Sequence, residues 1–194
     1  MKNKSFKEIA LPAIMLFIIA LVCTALLAGT NMLTKDRIAD LQVEAAREAK
    51  KAVMSEASSF VNESTVEVNG NIVTYYDAID DFGNTIGYVF NTTAKSYGGD
   101  ISCMVGVSLE TNKITGVKII TINDTPGLGM KANNDDFLSQ YIDRGGNIGV
   151  NKNTSTDTEI KAITSATITS KAVTEAVNQA FSAYEAVKAG DNNG

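Results

Sequence analysis

Hydrophobic positions follow three regimes along the chain. From Ile9 to Leu33 they are almost continuous. From Lys35 to about Ala57 they recur at helical steps, with Ile38, Leu41, Ala45, Ala49 and Val53 separated by charged residues. Beyond Thr65 they form short runs broken by Gly, Asn and Asp, which is the pattern of strands and turns.

The first regime predicts a membrane-spanning helix. Ile9 to Ala28 carries no charge and is about the 20 residues needed to cross a bilayer. Pro12 is expected in the first turn, where a helix tolerates it. Lys2, Lys4 and Lys7 precede the run and place the N-terminus on the cytoplasmic side, with the rest outside. Lys35 and Arg37 weaken that bias, although Asp36 and Asp40 sit beside them. A cleaved signal peptide fits poorly, because the run is long and Leu26-Leu27-Ala28 is a poor cleavage site. Val22 before Cys23 does not suit a lipoprotein, and Ser5-Phe6-Lys7-Glu8 does not match a pilin junction. The reading is a single-pass, uncleaved anchor in the cell membrane. The second regime then reads as a stalk that continues the anchor outward.

The third regime predicts a sheet. Val66 and Val68 lead into Asn69-Gly70-Asn71, a hairpin signal, and Ile72 to Ala78 return. Asp80 to Asn84 form a second turn before Ile86 to Thr92. Ile101 to Leu109 and Ile114 to Ile122 form a hairpin around Thr111-Asn112-Lys113. A short helix is predicted over Asp135 to Tyr141 and a short strand over Ile160 to Ile163. Val173, Val177, Phe181 and Tyr184, flanked by Ala172, Ala176 and Ala180, mark an amphipathic C-terminal helix. The class is α+β, a mostly antiparallel sheet with flanking helices. The expected organisation is an anchor over residues 1–33, a stalk over 34–60, an extracytoplasmic domain over 61–190 and a frayed tail over 191–194.

Composition narrows the chemistry. The chain has 194 residues and a net charge of -5, which argues against nucleic acid as a partner. It has no histidine and no Trp, so imidazole metal sites and His-based acid–base catalysis are excluded. Its two cysteines, Cys23 in the apolar run and Cys103 far beyond it, suit neither a disulfide nor an iron–sulfur spacing. No metal site and no catalytic side chain are therefore assigned. Redox chemistry in this chain requires an organic carrier.

Three segments are candidates for holding one. Thr164-Ser165-Ala166-Thr167-Ile168-Thr169-Ser170 lies between a strand and the last helix, where free backbone N–H groups and the helix dipole favour a phosphate. Thr169 or Ser170 equally suits a plain helix cap. Asp124-Thr125-Pro126-Gly127-Leu128-Gly129-Met130-Lys131 contains a tight turn and a second glycine that permits close backbone approach, and taken alone it reads as a plain loop. Ser96-Tyr97-Gly98-Gly99 precedes a strand. It reads as a bulge or turn, with an aromatic ring suited to flanking a planar ligand.

Together, in this order and behind one anchor, these segments resemble the FMN-binding domain of the G subunit of the Rnf electron-transport complex. The C subunit of the Na+-translocating NADH:quinone reductase shares that domain. The resemblance covers nearly the whole chain. It implies FMN held covalently through its phosphate on Thr167, placed there from FAD by a flavin transferase. Thr164, Ser165 and Ala166 complete the acceptor motif, and Thr169 and Ser170 are neighbouring hydroxyls that stand as reserve acceptors. Thr125, Gly127, Leu128 and Lys131 would pack near the flavin or its ribityl chain, with Tyr97 and Gly98 beside them. It also implies membrane and iron–sulfur subunits as partners, and electron flow between ferredoxin and NAD+ coupled to Na+ or H+ translocation. The chain alone shows no NAD site and no ion path, so it would act as an electron-transfer subunit. Two positions depart from the family pattern: Lys161 stands where Asp is usual, and Ser165 where Gly is common. Lys161 could impair transferase recognition or complement the FMN phosphate. The competing readings are the C subunit of the quinone reductase, and an anchored binding or scaffold protein without redox function.

Overall fold

The computed structural model describes residues 2–191. The remaining tail residues, expected to fray, lie outside that range, and Asp191 is still helical. The chain contacts divide it into two compact units, Met1–Glu44 and Ala45–Gly194.

Helix α1 runs from Lys2 to Val53. Its stretch Ala10–Lys35 is long and apolar enough to cross a membrane, and none of it is buried against protein. Pro12 is not in the first turn as expected, because the helix already begins at Lys2. Membrane helices accept interior prolines more readily than soluble ones do.

In the second unit, five strands form an antiparallel sheet in sequence order: β1 (Ser59–Val68), β2 (Asn71–Ile79), β3 (Thr85–Lys95), β4 (Asp100–Ser108) and β5 (Ile114–Thr121). The Asn69-Gly70 signal is realised as a tight hairpin in which both residues have positive φ, 52° and 80°. Helix α2 spans Asp135–Leu138 and continues as a 3-10 turn through Tyr141. A parallel pair follows, β6 (Gly149–Asn151) with β7 (Glu159–Lys161). The sequence pattern did not predict β6, which is too short to show periodicity. Helix α3 closes the fold from Thr167 to Asp191.

Strand alternation sorts the sheet residues between two cores. Tyr88, Phe90, Cys103, Val105 and Val107 face α3, which buries Val173, Val177, Phe181 and Tyr184 against them. Val89 and Met104 face the other way. There they meet Ala49, Val53, Met54 and Ala57, at and just beyond the end of α1. The stalk reading of this segment is thus incomplete, since its last turns pack into the domain. The approach is close enough that a Cβ on Gly106 would lie 2.6 Å from the Val53 carbonyl oxygen, and one on Gly116 2.8 Å from the Val53 Cα. Thr115 Oγ1 donates to that same carbonyl at 2.6 Å, satisfying one of the orphan acceptors of the helix end. Lys50 lies over the Tyr76 ring, 3.1 Å from its centre.

Candidate functional site

The site lies where β5 hands over to the loop that carries Asp124. This side chain is 3% exposed, and its charge survives burial because both of its oxygens are met by donors. Oδ2 accepts from Ser96 Oγ and from Thr169 Oγ1, each at 2.5 Å. Oδ1 accepts from the Gly98 backbone N–H at 2.6 Å. Burial alone would raise its pKa, but the Ser96, Thr169 and Gly98 hydrogen bonds outweigh it and hold the carboxyl below its ordinary value. Asp124 is therefore ionised at neutral pH. The stability it contributes is lost as pH falls through that lowered pKa.

Asp124 thus joins all three candidate segments. Ser96 and Gly98 belong to the turn after β3, which closes through Ser96 N–H to the Gly99 carbonyl at 2.8 Å. Thr169 lies in the first turn of α3. The Thr125-Pro126-Gly127-Leu128 turn is closed by Leu128 N–H to the Thr125 carbonyl at 3.2 Å. Gly127 has φ +76°, the geometry that a Pro-Gly type II turn requires. The close approach foreseen for the second glycine is to this same cluster. A Cβ on Gly129 would sit 2.6 Å from Asp124 Cβ and 2.8 Å from Thr169 Oγ1. Gly129→Ala is therefore expected to destabilise the domain by about 1–3 kcal/mol, read as a lower Tm. An unchanged Tm would mean that the first turn of α3 moves freely.

Between these segments is a cleft of about 430 Å3, within the usual range of roughly 300–1,000 Å3 for small-molecule sites. Of the residues expected around a ligand, Tyr97, Thr125 and Leu128 line one side. Ser165, Ala166, Thr167 and Thr169 line the other. Gly129, the second glycine of its segment, also lines it, as do Asp124 and Ile168, which were not singled out from sequence. Tyr97 is 74% exposed, Ile168 57% and Leu128 42%, so the cleft presents apolar surface that the fold itself leaves uncovered.

Five expected residues are not in the lining. Gly98 and Gly127 shape the walls through their backbones. Thr164 and Lys131 are exposed away from the lining. Ser170 is fully buried, donating to the Ala166 carbonyl at 3.0 Å and accepting from Ile163 N–H at 2.9 Å. Lys161 is exposed on β7, its backbone paired with the Gln140 amide, and does not line the cleft.

The capping alternative also fails. Thr169 and Ser170 lie within α3 rather than before it, and their hydroxyls serve Asp124 and the Ala166 carbonyl. The first helical bond runs from Ser170 N–H to Ala166 O, leaving the N–H groups of Thr167, Ile168 and Thr169 without helical partners. Thr167 is half-buried at the helix start, and no hydrogen bond engages its hydroxyl among the described residues.

Ser165 has φ +66°, the left-handed region that favours glycine. Ser165→Gly relieves roughly 1–2 kcal/mol of backbone cost against about 0.5–1 kcal/mol of added chain entropy. A small rise in Tm is expected, and a fall would show that the serine side chain contributes a contact.

A flavin nucleotide fits these residues. The unpaired N–H groups of α3 suit its phosphate, and Tyr97, Leu128 and Ile168 supply apolar surface for its ring. Among the described residues no Lys or Arg lines the cleft, so the helix terminus is what favours an anion there.

Comparison with known proteins points to the same cofactor class. Residues 96–182 match the family model of the FMN-binding domain, and residues 1–53 match that of the RnfG N-terminal region. The G subunit of the ion-translocating oxidoreductase complex of Methanosarcina acetivorans is 33% identical over 177 residues, covering 90% of this chain and 93% of that protein. The G subunit of the Na+-translocating ferredoxin:NAD+ oxidoreductase complex of Acetobacterium woodii is 33% identical, with 89% of each chain covered. Among solved structures, the C subunit of the Na+-translocating NADH-quinone reductase from Parabacteroides distasonis shares the fold. Its TM-score is 0.56 at 18% identity, over 77% of this chain and 94% of that one. NqrC of Shewanella oneidensis aligns with a TM-score of 0.50 at 20% identity, over 71% and 74%.

Proposed function

We propose, from the premise that the chain belongs to the G-subunit family of ion-translocating oxidoreductase complexes, that it is a membrane-anchored flavoprotein with FMN esterified to Thr167. The observation that carries this reading is the Thr167 hydroxyl. It is unengaged, at the start of α3 and on the cleft wall, whereas its neighbours on Thr169 and Ser170 are buried and bonded.

In the maturation step a flavin transferase presents FAD. The Thr167 oxygen would take the FMN phosphorus as the bond to the AMP phosphate breaks, with AMP as leaving group and loss of the hydroxyl proton. The N–H groups at the start of α3 stabilise the phosphodiester. The link lies at the far end of the cofactor from its ring, and it keeps an extracytoplasmic domain from losing its flavin to the surroundings. When bound, FMN supplies one- and two-electron transfer. Tyr97, Leu128 and Ile168 would hold the ring and limit its exposure to water.

The complex is an Rnf-type ferredoxin:NAD+ oxidoreductase coupled to Na+ or H+ movement, with this chain as one carrier among membrane and iron–sulfur subunits. The anchor is single-pass, with its N-terminus cytoplasmic and the flavin domain outside. The match of residues 1–53 to the RnfG N-terminal region favours this assignment over the C subunit of the quinone reductase. Affinity purification of the tagged chain from native membranes in mild detergent tests it. Ferredoxin-type iron–sulfur subunits and ferredoxin-dependent NAD+ reduction are expected. Quinone reductase subunits in their place would move this chain to the alternative system.

A further inference from the structure

Three segments far apart in sequence wall the cleft, and one carboxylate touches two of them while residing in the third. Asp124 holds the Tyr97 turn through Ser96 Oγ and the Gly98 N–H, and it holds the first turn of α3 through Thr169 Oγ1. The packing around it leaves little tolerance. A Cβ on Gly98 would collide with the Asn123 carbonyl, and one on Gly129 with Asp124 and Thr169. A buried ionised carboxylate with three donors is a costly device for joining loops that turns alone could join. Its bonds connect the Tyr97 wall to the helix turn that begins with Thr167.

We propose that Asp124 is the positioning residue of this cleft, fixing the Tyr97 turn and the first turn of α3 at the separation that admits a flavin nucleotide, and so governing how readily Thr167 is modified and what environment the ring then meets. The inference rests on the flavin reading of the cleft. Asp124 does not form the bond itself; it acts through Ser96, Gly98 and Thr169. Its negative charge on the cleft wall also opposes added electron density on a bound ring.

The test uses the full chain in detergent, co-expressed with a flavin transferase, and compares wild type with Asp124→Asn, Thr169→Val, Thr169→Ser and Ser96→Ala. Asparagine keeps the shape of the side chain but cannot accept at both positions. The rate of flavin attachment, read by intact mass, is expected to fall about 10- to 100-fold in Asp124→Asn and to a similar degree in Thr169→Val. Thr169→Ser, which restores the donor, should recover most of the rate lost in Thr169→Val. The double variant Asp124→Asn/Thr169→Val should be little worse than either single variant. In whatever fraction is loaded, the flavin potential should move positive in Asp124→Asn, an effect that a purely structural role would not produce. In the flavin-free chain, amide exchange at Gly98 should speed up in Asp124→Asn whether or not flavin ever attaches. Attachment at the wild-type rate in Asp124→Asn, with an unchanged potential, overturns the proposal and leaves the flavin site standing. A wild-type chain that takes no flavin from an active transferase removes the flavin reading and this proposal with it. Fast Gly98 exchange in Asp124→Asn would then mark the cluster as a structural clasp only.

Discussion

Thr167→Ala is expected to abolish covalent flavin. On a denaturing gel the wild-type band should fluoresce and the variant band should be dark. The loss is expected to be near-complete because the nearest hydroxyls within the helix are buried and bonded. Ser170 Oγ is fully buried between the Ala166 carbonyl and the Ile163 N–H. Thr169 Oγ1 is buried and donates to Asp124 Oδ2 at 2.5 Å. Thr164 does not line the cleft, and Ser165 lies before the helix turn that supplies the free N–H groups. The fold is expected to be unaffected, within about 0.5 kcal/mol, because the Thr167 hydroxyl makes no hydrogen bond that would be lost. Residual covalent flavin in Thr167→Ala would move the acceptor to one of its neighbours.

The second large effect concerns the end of α1. A chain beginning at Ser58 keeps every strand and α3, yet it should not fold stably, whereas one beginning at Ala45 should. The lost residues Ala49, Val53, Met54 and Ala57 are each at most 4% exposed and cover the sheet face that carries Val89 and Met104. Burying Val53 and Met54 alone contributes about 3–6 kcal/mol. That compares with a total stability of about 5–15 kcal/mol for an ordinary domain. Truncation also leaves Thr115 Oγ1 without the Val53 carbonyl. Urea unfolding monitored by circular dichroism checks the pair, and equal stability would mean that the second core is dispensable. In the full chain, Val53→Asp should unfold the domain at markedly lower urea, since the buried carboxylate has no partner.

The sequence made the sheet and α3 legible because local signals were strong. Asn69-Gly70 fixed one hairpin, and the spacing from Val173 to Tyr184 fixed the buried face of the last helix. The docking of α1 was hidden because Ala45, Ala49 and Val53 give the same periodicity in a free stalk and in a docked helix. What receives them is a pair of glycines, Gly106 and Gly116, whose meaning is the absence of a side chain. The site was half legible. Its three segments were visible as Gly-, Pro- and hydroxyl-rich stretches, and family resemblance ordered them. Asp124 entered only as the first residue of its segment, with no role of its own, because its partners Ser96 and Thr169 lie 28 and 45 residues away. Nothing in local pattern distinguishes a buried acid from a turn acid when its donors are this distant.

The most direct measurement is peptide mapping of the chain made with an active flavin transferase. Trypsin, cutting after Lys161 and Lys171, releases Ala162 to Lys171, a peptide that holds every candidate hydroxyl. The account predicts that this peptide carries one FMN and that fragmentation places it on Thr167. An unmodified peptide, or FMN on Ser165, Thr169 or Ser170, would contradict it.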